Sequence, residues 1–362
     1  MISLKEKRWI PFLAVILGLV AGTLIVILSG RSPLIMFATF IKAGTGIDLL
    51  KGGTFNPRLV GEFLVTTMPI LMGGLSISFA YRTGLFNIGA EGQIIAGGVA
   101  AIGAGFFIPI DNQFIHSTIC VLAGCLAGAL WGLIPGLLKA RFNVHEVVVG
   151  IMLNYTAMYS ANWLYKQMPL NQMTRTENVP VSATLNVDFL RQLTNNSRLH
   201  LGFIHVIIAL FLFWLIIEKT SFGYQLRATG FNKEGARFAG IKVKRNLVYS
   251  LMIAGAFAGL GGALLTLGTY GYGRVITAFD NVGFDGISVA LVGGCTMLGN
   301  LFAGLLFGLM KVAQPALQIA SIPKEIGDII SSLIVLLVAL QYAIVLYRNK
   351  IRDWFKKARG QK

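Results

Sequence analysis

The feature that most restricts this chain is its series of long stretches with few or no charged side chains: residues 10–29, 63–80, 88–110, 114–138, 147–165, 201–217, 246–273, 286–310 and 329–347. A helix needs about 20 apolar residues to cross the roughly 30 Å hydrocarbon core of a bilayer, and each run approaches or exceeds that length. Barrel strands are excluded because no alternation of period two accompanies the runs, and an isolated segment in lipid satisfies its own backbone groups only as a helix. Composition agrees. Of the 362 residues, 55% are apolar and 13% charged, the latter about half the share in a soluble domain, and the mean hydropathy is +0.71. The sequence predicts an all-α, polytopic membrane helix bundle, read as a single transmembrane domain over residues 1–362.

Nine runs leave a conflict of parity. Lys5, Lys7 and Arg8 precede the first run, and basic residues favour the cytoplasmic side. Nine crossings would then put the tail bearing Arg348, Lys350, Arg352, Lys356, Lys357, Arg359 and Lys362 outside. Ten crossings place both termini in the cytoplasm, provided the glycine-rich stretch 282–321 makes two passes broken at Leu298-Gly299-Asn300; nine is the alternative. On the ten-crossing reading most of the Lys and Arg lie inside, so the formal net charge of +16 reports topology and no nucleic-acid partner is expected. The first run is long for a signal peptide and lacks a small-x-small cleavage site, which reads as an uncleaved span.

Gly124, Gly128, Gly132 and Gly136 share one helix face, and Gly255 with Gly259 and Gly304 with Gly308 repeat the spacing. Small residues four apart let helix backbones approach closely where lipid supplies no hydrophobic drive for association. Cys120, Cys125 and Cys295 all sit in apolar runs and read as small core residues. The four histidines are scattered, and neither H-E-x-x-H nor G-x-S-x-G occurs, so no enzyme, catalytic residue or metal site is expected. There is no G-x-x-x-x-G-K-[ST] loop either; any ATP would be bound by another subunit.

Residues 218–246 form a long basic segment placed in the cytoplasm by this topology. Within it Glu234-Gly235-Ala236, three residues and then Gly240 resemble the E-A-A-x-x-x-G loop of ABC-importer permeases, with glycine replacing the middle alanine. A short amphipathic helix with small residues at Gly235, Ala236 and Ala239 suits a groove on a partner, with Arg227, Lys233 and Arg237 as rim charges. The alternative is a solvated basic connector. A second stretch, Arg82-Thr83-Gly84-Leu85-Phe86-Asn87-Ile88-Gly89-Ala90-Glu91-Gly92-Gln93, closely resembles the R-x-G-x-F-N-I-G-x-E-G-Q signature of permeases in the branched-chain amino acid and simple-sugar importer family. It is similar to the nucleoside branch of that family. Met152-Leu153-Asn154-Tyr155 and the run Gly283 to Leu291 extend the resemblance over residues 63–347. His145 before Glu146, where many relatives carry Asn, is a departure at a predicted helix start.

The resemblance implies an importer in a bacterial-type inner membrane, built from two permease subunits, a cytoplasmic ATPase docking on residues 218–246 and an extracytoplasmic solute-binding protein. The implied solute is a nucleoside, with ribose-like sugars or branched-chain amino acids as alternatives. An ion-coupled secondary transporter is the rival from another class; it needs ionisable residues within spans, and Glu91, Asp285 and Lys311 are the candidates. From the residues themselves, glycine-interrupted segments at matching places in two halves point to a translocation path. Gly89, Gly92, Gly97 and Gly98 match Gly283, Gly286, Gly293 and Gly294, with Glu91 and Asp285 beside them. Asn87, Gln93, Asn154, Ser288 and Asn300 add uncharged donors and acceptors for solute hydroxyls. The structural alternative has Asn87 and Glu91 finishing a helix N-terminus and Asn154 bonding between helices.

Overall fold

The computed structural model describes the backbone of residues 4–340 and side chains from Phe12 onward; the basic tail and residues 341–347 of the run 329–347 lie outside the described residues. Helices dominate. In order they are α1 (Leu4–Leu28), α2 (Pro33–Thr45), α3 (Pro57–Arg82), α4 (Ala90–Phe107), α5 (Gln113–Phe142), α6 (Glu146–Tyr165), α7 (Asp188–Leu193) and α8 (Gly202–Trp214). There follow α9 (Ser221–Phe231), α10 (Lys233–Phe238), α11 (Val243–Ala263), α12 (Val282–Val292) and α13 (Met297–Ile319), and α14 over 325–340. π-Helical turns extend α8 over Leu215–Lys219 and α11 over Leu264–Tyr270. Two hairpins interrupt the helical pattern in loops, β1 (Ile47–Asp48) with β2 (Thr54–Phe55) and β3 (Leu170–Gln172) with β4 (Arg175–Thr176).

The helix ends follow local chemistry. Asn56 accepts from the Arg58 amide at 3.0 Å ahead of Pro57, and Asn112 accepts from the Ile115 amide at 3.1 Å, each satisfying an orphan donor of a helix start. Asn232 both ends α9 and caps α10, accepting from the Gly235 amide at 2.9 Å.

Among the described residues two compact units form, 4–37 with 314–340 and 38–313. In the first, α1 meets α14 through Gly18 and Gly22, where an added Cβ would fall 2.4 and 2.3 Å from Ile334 and Ile330. In the second, α3 and α11 are buried along most of their length. The glycine ladder of α5 is the tightest seam of this unit. A Cβ on Gly128 would lie 2.3 Å from the Gly255 oxygen, and one on Gly259 would lie 2.3 Å from the Gly124 oxygen. The backbones of α5 and α11 are therefore in direct contact. Gly304 and Gly308 of α13 instead make room for side chains of α3, those of Leu71 and Thr67.

Among the described residues six helices are long and apolar enough to cross a membrane: α3, α4, α5, extended α8, extended α11 and α13. The first run is helical, with its described apolar part shorter. α6 has the length, but Asn154, Thr156, Ser160 and Asn162 dilute its hydropathy, and it is not among the six. α2, whose 13 residues include Lys42, was not anticipated. The glycine-rich stretch does divide into two helices, but elsewhere than expected. The break is at 293–296, where Gly294 (φ +59°) and Cys295 (φ +52°) are both left-handed, while Gly299 sits in the first turn of α13, its amide donating to Thr296 Oγ1 at 3.1 Å. α12 has 11 residues, about 16 Å of helix and roughly half a hydrocarbon core. It is a half-span, and two full helical passes are not what this stretch forms.

Replacing Gly128 with Leu should separate α5 from α11. Overpacking of this kind costs about 1–3 kcal/mol or more, so Gly128→Leu should lower membrane abundance and the unfolding temperature in detergent, whereas Leu126→Ala on the exposed face of α5 should change neither.

Candidate functional site

α11 ends at Gly271 (φ +75°), and the chain then runs irregularly from 271 to 281 before α12 begins. Backbone groups of such a segment need partners wherever water is scarce. Side chains of neighbouring elements supply them. The Asn162 carboxamide on α6 serves Ile276 twice, donating from Nδ2 to its carbonyl at 2.8 Å and accepting from its amide at 2.7 Å. Thr176 Oγ1 accepts from the Gly273 amide at 2.9 Å, and the Thr174 carbonyl accepts from the Val275 amide at 2.8 Å. Glu91, in the first turn of α4 and 2% exposed, accepts from the Asn281 amide at 3.1 Å and the Gly283 amide at 2.5 Å. A carboxylate there also faces the positive end of the α12 dipole. Only glycine fits beside it, since a Cβ on Gly283 would lie 2.4 Å from the Glu91 amide nitrogen.

Two adjoining cavities border this segment. A small one of about 40 Å³ is lined by Glu91, Tyr165, Tyr270, Tyr272, Arg274 and Asp280. A larger one of about 240 Å³ shares Tyr270, Asp280 and Val282 and adds Thr66, Arg198, Asp285 and Lys311. The charges are paired: Arg274 bridges to Asp280, Lys311 Nζ lies 3.3 Å from Asp285, and Arg198 holds Glu62 at 2.6 Å. Aromatic faces carry guanidinium groups, with Arg175 4.2 Å above the Tyr272 ring and Arg274 4.9 Å from that of Tyr270. In the loop before α8, His200 is buried against Gly202 and Gly268. Burial lowers its pKa to about 4, so the ring is neutral at pH 7. Among the described residues no three His, Cys, Asp or Glu converge as metal ligands.

The residues singled out in the sequence divide into groups. Glu91 and Asp285 reach the cavities. Asn87 is no cap for α4, whose N-cap is Gly89; its Nδ2 donates to Ser76 Oγ at 2.9 Å and to Gln93 Oε1 at 2.8 Å. Asn154 accepts from the Gly92 amide at 2.8 Å and donates to the Ile88 carbonyl at 3.0 Å, and Asn300 pairs with Ser78 at 2.9 Å. These four carboxamides are buried and tie helices together. Ser288 is half-buried on α12. In the 218–246 segment, Gly235 and Ala236 line a groove of about 560 Å³ with Tyr224, Ala228, Ala239 and Ile241. Glu234 is exposed and pairs with Arg237 at 2.9 Å, and Gly240 has φ +79° with nothing within 4 Å of an added Cβ. Arg227 is not a rim charge, because its guanidinium is turned onto Glu218. The sequence reading missed Tyr270, Tyr272, Arg274, Asp280 and Arg198. The signal is the Tyr-Gly-Tyr-Gly-Arg run that closes the apolar stretch 246–273.

Comparison with known proteins places this arrangement. Residues 59–339 match the family described as branched-chain amino acid transport system / permease component. The chain belongs to this permease family. It is 42% identical to the guanosine ABC transporter permease protein NupP of Bacillus subtilis (strain 168), over 97% of this chain and 99% of that one. It is 32% identical to the nucleoside ABC transporter permease protein NupB of Lactococcus lactis subsp. cremoris (strain MG1363), over 96% and 94%, and 28% identical to the glucose ABC transporter permease protein TsgB13 of Haloferax volcanii, over 79% and 77%.

The permease is a multi-pass membrane protein of an ABC importer, a transport component rather than an enzyme. Its polar cavity contains acids that are already paired or hydrogen-bonded, alongside tyrosine rings and hydroxyls. Glu91→Leu in the permease should strand the buried Gly283 amide, at about 1–3 kcal/mol, and release the part-buried Asn281 amide, while Glu91→Gln keeps an acceptor oxygen. Unfolding temperatures of the solubilised permease should fall in the order wild type, Gln, Leu.

Proposed function

We propose that this permease forms the translocation path for nucleosides, delivered by an extracytoplasmic binding protein, driven by a separate ATPase and completed by a second permease subunit in a bacterial-type cell membrane. The observation that carries the substrate class is the likeness to the guanosine permease along nearly the whole of both chains. Tyr270 and Tyr272, with ring centroids 6.1 Å apart, line the smaller cavity with faces already covered by Arg274 and Arg175. The paired ions Arg274–Asp280 and Lys311–Asp285 argue against an ion-coupled cycle, as does membership of an ABC family.

Ten crossings with cytoplasmic termini remain the reading that reconciles the apolar runs with the basic segments. One crossing is then the irregular residues 271–281 followed by the half-span α12. The partners found for that backbone support it, because irregular chain is tolerated at membrane depth only where protein or a cavity satisfies it. Residues 218–246 are the segment on which the ATPase docks. Phe231 and Phe238 there are 90% and 92% exposed beside a groove floored by small residues, the pattern of an interaction surface.

Uptake of labelled nucleoside should require the ATPase and should be competed by unlabelled nucleosides better than by ribose or leucine. Transport that survives loss of the ATPase would overturn the importer reading, and competition by ribose alone would move the substrate to sugars.

Gly240→Val places a β-branched residue at a left-handed position, at a cost of about 1–3 kcal/mol. Membrane abundance should stay near normal while uptake and co-purified ATPase per permease both fall, with Glu234→Arg acting in the same direction to a smaller extent. Unchanged uptake together with an unchanged ratio would reduce the segment to a solvated connector.

A further inference from the structure

The segment 218–246 and the cavities lie at opposite ends of α12, and ion pairs with one further hydrogen bond link the segment to the C-terminal end of that helix. Glu218, on the π-helical end of α8, holds two arginines. Arg227 of α9 pairs with Oε2, and Arg82 at the C-terminus of α3 pairs with Oε1 at 2.5 Å. The other nitrogen of the same Arg82 guanidinium donates to the Cys295 carbonyl at 3.2 Å. Cys295 and Gly294 are the consecutive left-handed residues between α12 and α13. The far end of α12 rests on Glu91, which lines the cavity. The side chains of Arg82, Glu218 and Arg227 are 21%, 34% and 25% exposed, so the ion pairs sit at the surface with the arginines partly shielded.

The surrounding contacts hold α9 to the same point. A Cβ on Gly230 of α9 would lie 2.5 Å from the Arg82 carbonyl oxygen. Thr229 accepts from Asn246 at 3.2 Å, and Ser250 donates to Thr83 at 2.9 Å. α12 itself meets α3 through small residues, with Gly286 against Gly73 and Gly74. One side chain keys the two helices together: Val289 of α12, fully buried, seats against Gly74 of α3, where an added Cβ would clash with it.

We propose that Arg82 and Glu218 are positioning residues for transport: they form the strut through which movement of the α9–α10 segment reaches the 293–295 break and so displaces α12 at the cavity. The strut rests on the assignment of residues 218–246 as the ATPase-docking segment. Arg82 is the critical member, since a planar guanidinium can serve a carboxylate and a carbonyl at once while an ammonium is a single point charge.

The test uses the purified complex with its ATPase in proteoliposomes, supplied with binding protein and labelled nucleoside, and compares wild type, Glu218→Gln and Arg82→Lys. Transport should fall about tenfold in both variants while ATP hydrolysis and the co-purified ATPase ratio stay within about twofold of wild type, as expected when gating rather than docking is lost. Transport within about twofold of wild type in Arg82→Lys, which retains the charge, would overturn the strut. So would a parallel loss of transport and hydrolysis in Glu218→Gln. If Arg82→Lys does not accumulate, Glu218→Gln decides by itself through the ratio of ATP hydrolysed to nucleoside moved. A wild-type permease that fails to retain the ATPase would instead reject the docking assignment beneath it.

Discussion

The requirement that shapes the functional half of this protein is the satisfaction of one irregular stretch of backbone. Between α11 and α12 the chain leaves helical geometry, and its amides and carbonyls are taken up by Asn162, Thr174, Thr176 and Glu91. A hydrogen bond of this kind is worth about 0.5–1.5 kcal/mol net, but a buried amide left without one costs about 1–3 kcal/mol. The placement of α6, of the β3–β4 hairpin and of the α4 N-terminus all follow from serving those groups. The cavity is the space their side chains leave, and its polar wall is a by-product of the same requirement.

That arrangement depends in turn on how closely α5, α4, α3 and α11 approach. Gly97, Gly124, Gly128, Gly255 and Gly259 bring backbones within contact distance, and the buried pairs Asn87 with Gln93 and Ser78 with Asn300 fix the register. Polar side chains between helices in an apolar setting average well under about 2 kcal/mol each. Their value here is specificity, because each carboxamide has one arrangement that satisfies it. The ionic chain at Glu218 belongs to the opposite end of α12, where water is nearer and charge can be held without full burial.

Much of the bundle was legible in the residues. Spacing of four placed the α5 ladder and its partners on α11, because 3.6 residues per turn stacks such positions on one face. Asn154 as an interhelical contact followed from the cost of a lone polar group in a span. Other features were not legible. Asn87 looked like a cap since it precedes a helix start by a few residues, yet its carboxamide turns toward Ser76 and Gln93. Arg227 read as a rim charge because sequence does not show that Glu218 faces it. The break in the glycine-rich stretch was misplaced because two left-handed residues, one of them Cys295, carry no compositional mark.

The sequence by itself determined that this chain is a helical membrane protein, where its apolar runs lie, and which loop carries the importer-like motif, because hydrophobic length and glycine spacing are properties of contiguous residues. Only the tertiary structure decided that Glu91 holds α12 rather than its own helix, that Tyr270, Tyr272, Arg274 and Asp280 line one cavity, and that Arg82 joins a carboxylate to a carbonyl 213 residues away. Those are encounters between groups distant in the chain, and they are set by where backbone and charge find partners once the helices have packed.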